Sequence, residues 1–219
     1  MNILALTGLG LFLGMNHAKD PDHVVAVTAI AARTRRAGPA MGIGAIWGLG
    51  HTLTILVVGA AIILLNLVVP PRVGLAMEFA VGIVLTVVGY LNLIGKRGFV
   101  SSGLDNKGGI PRLRAFLVGL VHGLAGSAAV ALLVLSTVHE PLAAVAYLLV
   151  FGFGTILGMM LITTIFALPA SVASHKFPSF APILQTTTGL LSFAFGLWVM
   201  YNVGVVDGLF RTVPHWTPH

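Results

Sequence analysis

Apolar residues along this chain form long unbroken runs with polar residues gathered between them, without the period-two alternation of a half-buried strand. About 20 apolar residues suffice for a helix to cross the hydrocarbon core, and six runs reach that length: about 3–32, 40–69, 73–94, 113–138, 141–171 and 181–206. The pattern predicts an all-α, polytopic membrane protein of six transmembrane helices. A β-barrel would instead show alternating segments of about ten residues. The first run differs from the rest, because the stretch His17-Ala-Lys-Asp-Pro-Asp-His23 interrupts its middle. Ionisable groups at that depth are costly unless they pair or face a wet cavity, so the cluster marks a functional site.

Composition supports the membrane reading. Of 219 residues, 57% are hydrophobic and 8% charged, against about 25% charged in a soluble domain; the mean hydropathy is +1.01. The 27 glycines suit helices that approach backbone to backbone. The net charge of +6 does not indicate nucleic acid, because the basic residues sit in short loops where they set orientation. Arg33, Arg35, Arg36, Lys96, Arg97, Lys107, Arg112, Arg114 and Lys176 fall on one side, and only Arg72 and Arg211 on the other. Both termini are therefore expected outside the cytoplasm, in a plasma or bacterial inner membrane. The N-terminus lacks the basic region of a cleaved signal and reads as the first helix. With no cysteine, any metal site must draw on imidazole, carboxylate, hydroxyl, thioether or carbonyl groups.

The two halves are alike. Gly14-x-x-His17 recurs as Gly119-x-x-His122, Gly48-Leu-Gly50 as Gly152-Phe-Gly154, and the Gly82/Gly89 pair as Gly189/Gly196, at offsets of about 104 to 107 positions. Residues 1–219 then form a single transmembrane domain, with a first three-helix repeat at 1–95, a cytoplasmic loop at 96–112, a second repeat at 113–206 and a tail at 207–219. Three helices per copy is an odd number, so the second copy enters the membrane from the opposite face, the inverted-repeat plan of many secondary transporters.

Pro21 has no N–H and crowds the carbonyl of His17, so the first helix is expected to kink or unwind there. Broken helices leave polar groups at the midplane only where these line a cavity or bind something. At about 100° per residue, His17, Asp20 and His23 form a slanting stripe, and unwinding at Pro21 brings Asp22 round; Lys19 is placed to neutralise one carboxylate. Two neutral imidazoles with one or two carboxylates suit Ni²⁺, Co²⁺ or Zn²⁺, whereas Ca²⁺ or Mg²⁺ favours oxygen alone. The bland alternative is a polar knot satisfying itself. His51, in Trp47-Gly-Leu-Gly-His-Thr52, is the candidate to complete the site. His122 holds the repeat position of His17 without its acids, and is open to reading as ligand, gate or structural residue. Ser127, Thr52 and Thr155 are candidate pathway hydroxyls, although such groups commonly satisfy helix carbonyls.

On these residues the chain resembles the nickel/cobalt transporter superfamily, which includes the shorter urease-accessory-type permeases. The stretch His17 to His23 is similar to that family's His-Ala-x-Asp-Ala-Asp-His string, with Pro21 in place of the second alanine, and Leu49-Gly50-His51-Thr52 is similar to its Leu-Gly-His-Ser/Thr signature. The resemblance implies that His17, Asp20, Asp22, His23 and His51 recognise and pass the cation. Many members have eight helices and acidic signatures in later ones. Here Gly158 to Thr164 resembles such a signature with Thr163 in place of an Asp, and none is visible from His122 to Ala129.

The expectation is a permease for a divalent transition-metal ion, Ni²⁺ or Co²⁺ first, with no cofactor beyond that ion and no enzymatic activity. No phosphate-binding Gly-x4-Gly-Lys-Ser/Thr loop occurs, so ATP is not hydrolysed by this chain. Export of another metal or of a small anion is the alternative within transport. A His-box membrane metalloenzyme is disfavoured by the absence of adjacent His pairs, and a zinc protease by the absence of His-Glu-x-x-His.

Overall fold

The computed structural model describes residues 3–31, 37–65, 69–94, 110–124, 140–177 and 179–216. Ser127 and the loop cations Arg33, Arg35, Arg36, Lys96, Arg97 and Lys107 lie outside them. The described residues are helical without strands, as expected of apolar segments whose backbone must satisfy its own hydrogen bonds in lipid. In chain order the helices are α1 Ile3–His17, α2 Pro21–Ala31, α3 Ala37–Leu65, α4 Pro71–Leu93, α5 Ile110–His122, α6 Pro141–Lys176 and α7 Phe180–Tyr201. A π-helical turn, Asn202–Val206, extends α7.

Four of these helices, rather than six, are continuous, long and apolar enough to cross a membrane: Gly38–Leu65, Pro71–Leu93, Leu142–Ala173 and Phe180–Val206. The first apolar run is divided into α1 and α2, and the fourth is described only through Leu124. At about 1.5 Å per residue, α1 reaches roughly 22 Å, short of the hydrocarbon thickness. Side chains such as Val57, Leu149, Phe153, Ile183, Leu191 and Trp198 project outward in the exposed state, as a lipid-facing surface requires. Together these features make the chain a multi-pass membrane protein.

The helices pack through glycine, and the contacts recur in pairs. A Cβ on Gly14 of α1 would overlap the Phe151 backbone of α6, and one on Gly119 of α5 would overlap the Trp47 backbone of α3. Gly154 meets Leu11 as Gly50 meets Phe116. α4 and α7 pair through Gly82, Gly89, Gly189 and Gly196. A Gly14→Leu variant is therefore expected to lower the thermal unfolding midpoint in detergent, at a cost of about 3 kcal/mol, the upper part of the usual overpacking range. An unchanged midpoint would mean α1 and α6 can separate freely.

Hydrogen bonds tie the bundle where apolar contact alone gives no direction. Thr52 donates to the Gly152 carbonyl at 3.0 Å and Thr54 to that of Leu120 at 2.9 Å. Ser192 donates to Leu85 at 2.9 Å. Asn92 of α4 donates to the Ala29 carbonyl of α2 at 2.8 Å, anchoring the second half of the broken helix. The C-terminal segment expected as a polar tail folds back, its Trp216 indole lying over Gly74 and donating to Glu78 at 2.8 Å.

Candidate metal centre

The break in the first run lies at residues 18–20, one step before the proline. The His17 carbonyl, which Pro21 cannot reach with an N–H, accepts the Asp20 N–H at 3.1 Å instead. Asn16 accepts from Lys19 at 2.9 Å in the same turn, and Pro21 opens α2 at a position where its missing N–H is no loss. The break also replaces the slanting stripe expected from an intact helix. Six residues of unbroken helix would place His17 and His23 about 9 Å apart along the axis and about 120° apart around it. With the chain turned, their ring centres lie 4.9 Å apart.

His51 joins them from α3. Its ring centre is 5.0 Å from that of His17 and 4.8 Å from that of His23. Its Nε2 lies 2.9 Å from His17 Nε2, and its Nδ1 lies 3.4 Å from His23 Nε2. Two nitrogens bonded to one ion at about 2.0–2.1 Å are about 3.3 Å apart in tetrahedral and about 2.9 Å apart in cis-octahedral geometry. The His17–His51 nitrogen pair is at that spacing, while His51 meets His23 through its other ring nitrogen. One nitrogen from each of the three lies within 4.8 Å of the others, a cluster that an ion would draw together.

The carboxylates stand behind the imidazoles. Asp20 Oδ2 is 2.8 Å from His17 Nδ1 and fixes that ring with Nε2 turned inward. Asp22 Oδ1 lies 3.3 Å from His23 Nδ1, misaligned for a hydrogen bond, and this nitrogen makes none among the described residues. Asp20, Asp22 and His23 form a second grouping of potential ligand atoms. Exposure falls along the set, from 33% at the Asp20 side chain through 16% at Asp22 to 0% at His23. Lys19 does not neutralise either acid through an ion pair; its ammonium donates to Asn16 Oδ1 at 2.8 Å. The shorter reach to the amide of the same turn wins.

The remaining expected residues divide. His122 is fully buried, its ring centre 5.7 Å from that of His23. Thr155 donates to the Phe151 carbonyl at 3.0 Å and Thr52 to that of Gly152, so both hydroxyl protons are committed to backbone. Thr163, at the position where the family resemblance places an acid, is buried, donates to Met159 at 2.6 Å and packs over Gly44. Sequence reasoning gave no weight to two aromatics that wall the centre. Phe151 lies 5.5 Å from His17, and Trp47 lies 6.0 Å from His23 and 5.3 Å from His122. Trp47 stands four residues before His51 and so shares its face of α3, which was the available signal. Gly50 and Gly48, flanking it, admit α5 and α6 close to the backbone.

Over 222 aligned residues the chain is 35% identical to the urease accessory protein UreH of Bacillus sp. (strain TB-90), covering 96% of this chain and 97% of that protein. It is 24% identical over 218 residues to the chloroplast protein FOR GROWTH AND FERTILITY 2 of Arabidopsis thaliana, covering 91% of this chain and 57% of that one. No family model matches, and no solved structure does.

Proposed function

Because the chain belongs to the family of the urease accessory protein UreH, we propose that it is a membrane permease for a divalent transition-metal ion, Ni²⁺ or Co²⁺. The ion passes through the His/Asp centre of the broken first helix. The observation that carries the reading is the meeting of His17, His23 and His51 in a buried cluster with nitrogens 2.9 and 3.4 Å apart. Imidazole ligands favour Ni²⁺ and Co²⁺ over Mg²⁺ and Ca²⁺. Asp20 and Asp22 add negative charge at the more exposed edge, which attracts a dication and repels an anion, so the small-anion alternative is disfavoured. The resemblance to nickel/cobalt transporters points to the same ions.

The paired glycine contacts support an inverted-repeat architecture of six spans, with α1 and α2 as one broken span and α5 opening the fourth. Gly14 on Phe151 and Gly119 on Trp47 are the same contact made once by each half. In such a fold, rocking of one half against the other exposes a central site to each side in turn. The membrane potential supplies about 2.3 kcal/mol per charge per 100 mV, hence about 4.6 kcal/mol for a dication. That equals a concentration ratio of about three decades.

Only a neutral imidazole coordinates metal. Titration of the purified protein with Ni²⁺ is expected to show saturable binding. Nickel X-ray absorption should show imidazole nitrogen in the bound state. An ion held by oxygen alone would contradict the reading.

A further inference from the structure

Resting on the permease reading above, we propose that His122 is a fourth imidazole ligand, its Nε2 joining His23 and His51 in a second ion position beyond the one at His17. His122 Nδ1 lies 3.0 Å from the Val118 carbonyl, one helical turn back. A carbonyl only accepts, so Nδ1 carries the proton and the neutral ring keeps a lone pair on Nε2. That Nε2 is buried and makes no hydrogen bond among the described residues. An unmet buried polar atom is costly, and in a native structure it calls for an explanation such as an absent ion.

The placement fits an ion shared with His23. An imidazole centre sits about 3.2 Å from an ion bound at about 2.0–2.1 Å, so two rings on one ion have centres about 5.2 Å apart in tetrahedral geometry and up to about 6.4 Å when opposed. The His23–His122 separation of 5.7 Å lies within that span. His51 faces His17 with Nε2 and His23 with Nδ1, so its ring serves an ion on one side or the other in turn, the ring proton sitting on whichever nitrogen is not bound. His122 also closes α5 as His17 closes α1. It packs on Trp47 at 5.3 Å as His17 packs on Phe151 at 5.5 Å. The second half therefore presents an imidazole to the centre from across the bundle, and an ion passing between halves exchanges His17 for His122 while His23 and His51 stay bound.

The test compares wild type, His122→Asn, His17→Ala and the double variant, as full-length protein in nanodiscs titrated with Co²⁺ and in proteoliposomes assayed for Co²⁺ uptake. Asn keeps an amide able to donate to the Val118 carbonyl while removing Nε2, so the structural bond survives. The expected result for His122→Asn is affinity within about threefold of wild type and an uptake rate reduced at least about tenfold. His17→Ala should still bind Co²⁺, at least about 100-fold more weakly, and the double variant should not. Wild-type uptake rates in His122→Asn, or equal binding by His17→Ala and the double variant, would overturn the proposal and leave the permease reading standing. A folded wild type that neither binds nor transports Co²⁺ would overturn both. If His122→Asn does not fold, cobalt X-ray absorption on His17→Ala decides, with three imidazoles expected and two contradicting the fourth ligand.

Discussion

Replacing His51 with alanine is expected to abolish metal-dependent stabilisation of the protein. An ion at about 100 times its dissociation constant raises folded-state stability by about 2.7 kcal/mol, read as an upward shift of the thermal midpoint in Ni²⁺ or Co²⁺. Among the three imidazoles, His51 is the one whose ring nitrogens closely approach nitrogens of both others, at 2.9 and 3.4 Å. Removing it takes a ligand away and leaves His17 and His23 without their shared partner. Loss of a group that merely orients a ligand costs about 10–100-fold in affinity, so loss of the ligand itself should cost at least about 100-fold. The metal-free protein should lose about 1–3 kcal/mol from the unpaired nitrogens and remain folded, with a monodisperse elution profile. A full metal-induced shift in His51→Ala would place the ion elsewhere.

The second large effect is expected at Pro21. Proline within a helix costs about 3 kcal/mol relative to alanine, a factor of about 150 in population, and this weight holds the chain in its broken form. Pro21→Ala restores an N–H able to reach the His17 carbonyl and makes one continuous helix accessible. That helix would carry His17 and His23 about 9 Å apart along its axis, in place of ring centres 4.9 Å apart. Ni²⁺ affinity should therefore fall at least about tenfold by titration while the thermal midpoint of the metal-free protein holds or rises. Unchanged affinity would show that packing, with Ala18 fully buried against Gly158, sets the turn without the proline.

Much of this was legible in the sequence because lipid leaves a chain few options. Long apolar runs must be helices, and a cluster of ionisable groups within one must be functional or mutually satisfied. Pro21 announced the break and the Gly-rich surroundings of His51 announced close approach. What remained illegible was tertiary. An intact helix would spread His17 and His23 along a slanting stripe, about 9 Å apart along the axis, and only the turn through residues 18–20 shows that they meet. Among the described residues the count of continuous spans is four and not six: the break yields two helices of 15 and 11 residues, each too short alone, and the fourth run is described only through Leu124. Lys19 chose Asn16 over an acid on reach within one turn, and Trp47 gained its role by facing two histidines from different helices.

On the proposed function, a transition-metal ion crosses the membrane through the imidazole cluster of His17, His23 and His51. The direct test is uptake into proteoliposomes containing the purified protein, with an interior metal-sensitive dye and an imposed potential. Saturable entry of Ni²⁺ and Co²⁺ is expected, with Mg²⁺ and Ca²⁺ excluded, and entry lost in His51→Ala. Entry at equal rates through wild type and His51→Ala, or none through a folded wild type, would contradict it.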